Sequence, residues 1–387
     1  MDDMRGSKEV EVVLLVCLLL LPLAHVVSVK SSIFNPVFQK GMSYRHYPHP
    51  YDSSFSNESL ERMAETNAEY VAITVWWLQE NITSTRIYSK PGWTATDEAL
   101  AMAIQKAHML GMKVMLKPMV DPEDVYTQWR GEIPPSPEWF ESYRVFISGY
   151  AKFAEENGVD LLSIGCEFKA TEADESSWRR VIEEVRRHYS GPITYAATFD
   201  SYQAIRWWDA LDYVGIDAYF PLTNKRDPTL EELKQAWRDI ADEIETWHNS
   251  KMKKPIIFTE IGYRSGDGNN MQPWNWTAQL EVDLQEQFNS YLAAFQVLWG
   301  RPWFYGFYWW IWESDPNAGG DEDSDFTPQN KPVENLIRSY YSSERHIDPS
   351  YHFKNRIKVL EGVISAFTLT LIILVALTIH YAKKSNR

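Results

Sequence analysis

The sequence predicts a closed (β/α)8 barrel, a TIM barrel, flanked by an N-terminal signal segment and a C-terminal transmembrane helix. Three observations carry that expectation. Strand-forming runs alternate with amphipathic helical patterns until eight runs have accumulated. Two of these runs, Leu161-Leu-Ser-Ile-Gly-Cys-Glu167 and Pro255-Ile-Ile-Phe-Thr-Glu260, end abruptly in a glutamate. Finally, each end of the chain carries an apolar stretch that stands outside the repeating pattern.

Residues 12–27 are almost continuously apolar, but Pro22 and His25 interrupt them and the run is short for a membrane span. Residues 1–28 therefore read as a signal peptide, with Val26 and Ser28 as cleavage-site residues. Asp2, Asp3, Glu9 and Glu11 outweigh Arg5 and Lys8 ahead of the apolar core, which leaves a signal anchor as the alternative. Residues 363–379 carry no charge and match a hydrocarbon core of about 30 Å. A transmembrane helix is expected over residues 362–381, after a juxtamembrane segment at 346–361. Lys383, Lys384 and Arg387 in the tail, 382–387, place that end in the cytosol. A GPI signal normally ends in apolar residues, so the basic tail favours a retained helix. The expectation is a single-pass type I protein of the cell surface or a secretory-pathway membrane, with residues 30–345 extracellular or lumenal.

Three sequons, at Asn57, Asn81 and Asn275, are candidate glycan acceptors on that side. Cys17 lies in the signal segment, so Cys166 has no intrachain disulfide partner and stability rests on a large core. A net charge of −15 argues against nucleic-acid binding and against adhesion to anionic headgroups, and suits a neutral ligand.

Between the ends no linker or repeat divides the chain, and residues 30–345 fit one barrel domain. The expected strands are Gly41–Tyr44, Tyr70–Trp76, Lys113–Val120, Leu161–Gly165, Ile193–Ala197, Tyr213–Ala218, Ile256–Thr259 and Phe304–Trp310. Ser136-Pro137-Glu138 opens a helix with proline at its first position, and Asn157-Gly158 closes it. Its apolar face runs through Phe140, Tyr143, Ile147, Tyr150 and Ala154. Gly111 and Gly191 separate further helical patterns from the strands near Lys113 and Ile193. An open doubly wound sheet is the structural alternative, but no glycine-rich phosphate loop follows any strand.

Active sites of such barrels lie at the C-terminal ends of the strands. Glu167 ends the fourth expected strand and Glu260 the seventh, so both carboxylates belong to one pocket. A retaining glycosidase needs two carboxyl groups about 5–5.5 Å apart, one the nucleophile, the other acid and then base. A pair of structural, ion-paired glutamates is the plainer alternative for either residue alone, and the matching positions favour chemistry.

Three segments carry a resemblance: Gly165-Cys-Glu-Phe168, Asp212-Tyr-Val-Gly-Ile-Asp-Ala-Tyr-Phe220 and Phe258-Thr-Glu-Ile-Gly-Tyr-Arg264. They resemble the glycoside hydrolases with the acid/base on strand four and the nucleophile on strand seven. More narrowly they resemble the β-mannanases of glycoside hydrolase family 113. Asp325-Phe-Thr-Pro-Gln-Asn-Lys-Pro332 and Trp76-Trp-Leu-Gln79 are similar to that family too, so the resemblance runs from about Phe38 to Tyr341. It implies Glu167 as acid/base, Glu260 as nucleophile, and Tyr219 as the tyrosine that hydrogen-bonds the nucleophile. It also implies Trp310 as the floor of the reacting-sugar subsite, with Trp312 in reserve. Cys166 stands where the wider clan has asparagine at the sugar 2-hydroxyl, and the clan's arginine near the end of strand two has no match in Ile73-Thr-Val-Trp-Trp-Leu78.

Seventeen tryptophans suit a carbohydrate ligand, because sugar C–H faces pack on aromatic rings. Trp77, Trp129, Trp274, Trp276 and Trp312 fall where loops are expected, and Trp77 and Trp129 read as subsite residues. Trp207, Trp208 and Trp237 read as core, while Arg45-His-Tyr-Pro-His49 is either pocket wall or solvated loop. No metal or cofactor is expected: the nine histidines are scattered, and Asp321-Glu-Asp-Ser-Asp325 lacks the spacing of a calcium loop. The expected partners are a β-linked oligo- or polysaccharide and, through the C-terminal helix, a membrane. Two functions remain: a membrane-anchored retaining β-glycosidase, endo-β-1,4-mannanase-like or acting on another β-linked glycan, with endo or exo action set by loops around the cleft, and a non-catalytic carbohydrate-binding protein on the same barrel. The paired glutamates favour the enzyme.

Overall fold

Each of the eight expected strands forms. The computed structural model describes residues 36–347, and in it the strands are β1 (Gln39–Tyr44), β2 (Tyr70–Gln79), β3 (Lys113–Pro122), β4 (Leu161–Cys166), β5 (Ile193–Thr198), β6 (Val214–Asp217), β7 (Ile256–Ile261) and β8 (Phe304–Trp312). They pair in parallel in sequence order, and β8 closes on β1. The signal segment, the expected transmembrane helix and the basic tail lie outside the described residues. Among the described residues no helix is long and apolar enough to cross a membrane.

Seven α-helices accompany the strands among the described residues: α1 (Ser54–Ala64), α2 (Asp97–Met109), α3 (Pro137–Glu156), α4 (Glu175–His188), α5 (Leu230–Lys251), α6 (Leu284–Leu298) and α7 (Pro332–Ser342). The stop and start signals read from sequence operate in α3. Ser136 Oγ accepts from Trp139 N at 3.1 Å, Pro137 takes the first helical position, and Asn157-Gly158 ends the helix, with Gly158 at φ 65°. The step from β5 to β6 departs from the expected rhythm. It contains two short 3-10 turns, Tyr202–Ala204 and Trp208–Ala210, in place of a helix. Buried Trp207 and Trp208 fill that space, with Trp207 stacked on Trp178 of α4 at 4.9 Å.

Strand alternation divides the apolar residues into two populations. In β2, Val71, Ile73 and Val75 face the helices, whereas Tyr70 and Ala72 join Met115, Leu161, Ile257 and Tyr308 inside the barrel. Above that layer, Trp76, Met119, Cys166, Ala196 and Trp310 form another. The interior is therefore filled with side chains up to the C-terminal ends of the strands, where charged groups take over.

Candidate active site

The acidic groups at the barrel mouth are arranged around a buried lysine. Lys117 points inward from β3, and its Nζ donates to Asp217 Oδ1 and Oδ2 at 3.1 and 3.2 Å and to Glu260 Oε1 at 2.5 Å. Asp217 ends β6 and also accepts from Thr259 Oγ1 at 2.7 Å. Glu260 Oε2 accepts from the Tyr219 hydroxyl at 2.7 Å. Tyr219 is brought there by the backbone, since Ala218 N donates to Glu260 O at 2.7 Å. Burial of a lysine with two acids is stable only if the charges stay paired, and this arrangement pairs them.

Glu167 follows β4 directly. Its φ is +56°, a left-handed conformation that a non-glycine residue adopts at a cost of about 1–3 kcal/mol. The surroundings impose it. Glu167 N donates to Ala196 O at 2.8 Å, and Phe168 N donates to the Tyr195 hydroxyl at 2.9 Å. Tyr195 crosses β4 at Gly165, where a Cβ would stand 2.8 Å from the ring. Glycine at that position is a steric requirement.

Glu167, Cys166 and Asp217 each present a ligand-type atom within 4.8 Å of the others. Cations already serve this cluster. Arg130 Nη1 lies 3.1 Å from Cys166 Sγ while its Nε and Nη2 hold Asp121 in a fork at 2.6 and 2.8 Å. Burial, then the nearby Asp217, raise the Glu167 carboxyl to about 8, against the opposing pull of Arg130. Burial and Asp217 also raise Glu260, but Lys117 and the Tyr219 hydroxyl both favour its charged form. Among the described residues no side chain hydrogen-bonds Glu167. Both carboxyls are raised, but only Glu260 has an ammonium and a phenol directed at its oxygens to oppose protonation, the kind of unequal treatment that acid-plus-nucleophile chemistry uses.

Trp310 of β8 is half-buried beside this group. Its ring meets Trp76 at 6.5 Å, edge to face, and it packs near Tyr219, Ile311 and Phe326. The Trp310–Ile311 peptide bond is cis. Arg45 and Glu313 form a bidentate pair at 2.7 and 2.5 Å that joins the loops after β1 and β8. His46, next along, lies 6.0 Å from Trp76. The acidic run Asp321–Asp325 is organised around Lys331, whose Nζ donates to Asp323 Oδ1 at 3.0 Å, Ser265 Oγ at 2.7 Å and Asp325 O at 2.8 Å. A surface recess of about 580 Å³ flanks α2 and the end of α3, away from the mouth.

A model of glycoside hydrolase family 113 matches residues 42–331. The chain belongs to glycoside hydrolase family 113. It is similar to a solved family 113 β-1,4-mannanase complex, with 29% identity, a TM-score of 0.72, and coverage of 80% of this chain and 100% of that one. The family 113 β-mannanase AaManA from Alicyclobacillus acidocaldarius, solved in complex with ManMIm, matches at 30% identity and TM-score 0.72, over 80% and 99% of the two chains. A β-glucuronidase from Ruminococcus gnavus shares the fold alone, at 15% identity and TM-score 0.55, over 80% of this chain and 50% of that one. Among curated proteins none matches. The protein is therefore a glycoside hydrolase.

Within this family 113 enzyme the sequence-predicted residues separate into two sets. Glu167, Glu260, Tyr219, Cys166 and Trp310 come together at the barrel mouth. Trp77 does not join them. It carries the parity of Val71, Ile73 and Val75, packs on Phe146 of α3, and donates from Nε1 to the Tyr150 hydroxyl at 2.7 Å. Trp312 is also elsewhere: it is fully buried under α1 and donates to Ser59 Oγ at 2.9 Å. Strand alternation from Trp310 would have put it on the inner face, and that alternation is broken between the two. Trp129, 40% exposed, precedes the 3-10 turn that carries Arg130. Cys166 is enclosed, with its thiol 3.5 Å from Asp217 Oδ2, and is not offered to a ligand. Asn57, Asn81 and Asn275 are all partly exposed.

Sequence reasoning missed Lys117, Asp217, Arg130 and Trp76. Lys117 had a signal, a lone cation in the apolar run Val114-Met-Leu-Lys-Pro-Met-Val120. So did Trp76, through its parity with Tyr70, Ala72 and Thr74. Arg130 lies on a loop whose path no local pattern specifies.

Proposed function

We propose that this chain is a retaining β-glycoside hydrolase that acts on β-1,4-linked mannan or mannooligosaccharides by double displacement. The observation that carries the mechanism is the unequal treatment of the two glutamates. Glu260 has an ammonium and a phenol directed at its oxygens, whereas Glu167 has a raised pKa of about 8 and holds its proton at neutral pH. In the first step a Glu260 oxygen bonds to the anomeric carbon as the bond from that carbon to the leaving oxygen breaks. The Glu167 proton passes to the leaving oxygen. In the second step ionised Glu167 takes a proton from water, whose oxygen displaces Glu260 from the anomeric carbon. Lys117 acts as a positioning residue that holds Glu260 charged and aimed. Trp310 and Trp76 supply apolar faces for pyranose rings.

The substrate class draws support from the family 113 β-mannanases matched along their full length. The purified full-length chain should hydrolyse β-1,4-mannooligosaccharides, and Glu260→Ala should abolish that activity. Hydrolysis of other β-linked glycans with none of mannan would overturn the substrate assignment. The uncharged stretch near the C-terminus and its basic tail support type I anchoring with the barrel extracellular or lumenal. A glycosidase-sensitive mass shift that disappears when Asn57, Asn81 and Asn275 are replaced together would support that location. Digestion of the barrel only from the cytosolic side would contradict it.

A further inference from the structure

Two loops that leave opposite sides of the barrel meet each other. In a barrel closed in sequence order, β3 and β7 stand four strands apart and so face each other across the mouth. The loop after β3 carries Tyr126 and the loop after β7 carries Trp274 and Trp276. The Tyr126 and Trp276 rings meet with centroids 5.1 Å apart at an interplanar angle of 45°. Before reaching Tyr126, the β7 loop touches two other strand ends. Asn270 O accepts from Leu222 N of the loop after β6 at 2.9 Å. Trp274 then stacks on Phe199, just past β5, at 5.4 Å. Phe199 itself packs against the wall formed by Tyr219, Ile311 and Phe326. The loop thus contacts the rim above β6, β5 and β3 in turn, an interval that contains the end of β4 and Glu167.

This segment is anchored along its length. Glu286, in the first turn of α6, accepts from Gly268 N at 2.7 Å and from Asn270 Nδ2 at 2.9 Å. Arg264 donates to Ala278 O at 2.5 Å and to Ser324 O at 3.1 Å, and Gly266 pairs with Val282 where the loop returns. Tyr126 and Trp276 remain 76% and 48% exposed, so their contact lies at the outer edge of the mouth. On the other side of the mouth, the Arg45–Glu313 pair joins the neighbouring β1 and β8 loops without crossing it.

We propose that this aromatic arch bounds the leaving-group side of the cleft and restricts the enzyme to short leaving groups. The inference rests on the catalytic reading above. Because Glu167 gives its proton to the leaving oxygen, the departing sugar lies on the Glu167 side, under the interval that the arch spans. The rest of the chain then extends to the opposite side, over β8, β1 and β2, where the Arg45–Glu313 pair joins neighbouring loops without crossing the mouth. The enzyme then trims short units from the reducing end of a β-linked mannan and does not cut its interior.

The test uses the full-length protein and β-1,4-mannohexaose labelled with ¹⁸O at its reducing end, together with soluble β-mannan followed by viscosity. An aryl β-mannoside, whose leaving group is too small to reach the arch, serves as the internal reference. Expected for the wild type is label in the shortest products and little loss of viscosity per new reducing end. Tyr126→Ala combined with Trp276→Ala should move label into longer products and raise the viscosity loss per cut several-fold, relative to aryl turnover. Tyr126→Phe, which keeps the ring, should preserve the wild-type pattern. The proposal is overturned by interior cutting in the wild type, by an unchanged pattern in the double variant, or by an alanine-like pattern in Tyr126→Phe. Absence of all β-mannoside turnover in the wild type would instead overturn the catalytic reading, and this inference with it.

Discussion

Lys117 Nζ stands 2.5 Å from Glu260 Oε1 and 3.1 Å from Asp217 Oδ1, so one fully buried ammonium is shared by two carboxylates. Burial alone would lower the lysine pKa, but Asp217 and Glu260 push it above the ordinary range. The acids around Lys117 thus favour its charged form against the burial that disfavours it. Asp217 holds Lys117, and Lys117 holds Glu260 against the burial that would protonate it.

Lys117→Met should lower kcat/KM sharply and shift its acid limb to higher pH, because Glu260 would lose the cation that favours its charged form. Removing one partner of a buried pair should also cost about 3–5 kcal/mol of stability, read from denaturant unfolding. Adding Asp217→Asn to that variant should restore part of the stability. An unmoved acid limb in a folded Lys117→Met protein would remove Lys117 from the account.

The sign of the alkaline limb follows from Glu167. Its pKa is raised to about 8, so its carboxyl stays protonated and competent as an acid below that pH and loses the proton above it. The pH profile of kcat/KM should therefore fall as pH rises through about 8. With an activated aryl glycoside, whose leaving group needs no proton, Glu167→Gln should keep the first step and lose that limb. A limb that persists in the variant would belong to another group.

Cys166 should behave as a structural thiol. Burial is the main reason its pKa is raised well above the usual range, and the nearby Asp217 adds to it. Alkylating reagents should leave the native enzyme unmodified, as mass spectrometry would show. Cys166→Ser should retain substantial activity, since a hydroxyl still meets Arg130 and Asp217. A loss as complete as that of Glu167→Gln would contradict this role.

Trp76 and Trp77 offer a paired comparison, adjacent in sequence and opposite in placement. Trp76→Ala should raise KM for oligosaccharides, because the ring beside Trp310 is lost. Trp77→Phe should leave KM within about twofold and cost about 1 kcal/mol of stability, the value of its hydrogen bond to Tyr150. The reverse pattern would show that the β2 face is misassigned.

Much of this molecule was legible in the sequence because it follows from short-range rules. The strands announced themselves as apolar runs, α3 through its proline and glycine signals, and Glu167 and Glu260 through their abrupt positions at strand ends. The β5–β6 connection was not legible, because Trp207 and Trp208 fill by bulk the space that a helix fills elsewhere. Trp77 and Trp312 were misplaced for related reasons. Counting parity along β2 would have corrected the first, whereas the break in alternation at Trp310 hid the second. Arg130 reaches Cys166 from 36 residues earlier in the chain, a contact made where the β3 loop folds over the end of the neighbouring β4.

The central claim is that Glu260 attacks the sugar directly while Glu167 serves first as acid and then as base. Proton NMR of the first product released from a β-mannoside, recorded before mutarotation, tests it most directly. Two displacements at the anomeric carbon restore its configuration, so the β-anomer should appear first and the α-anomer should grow in later. An α-anomer appearing first would mean a single displacement by water, and would contradict the account.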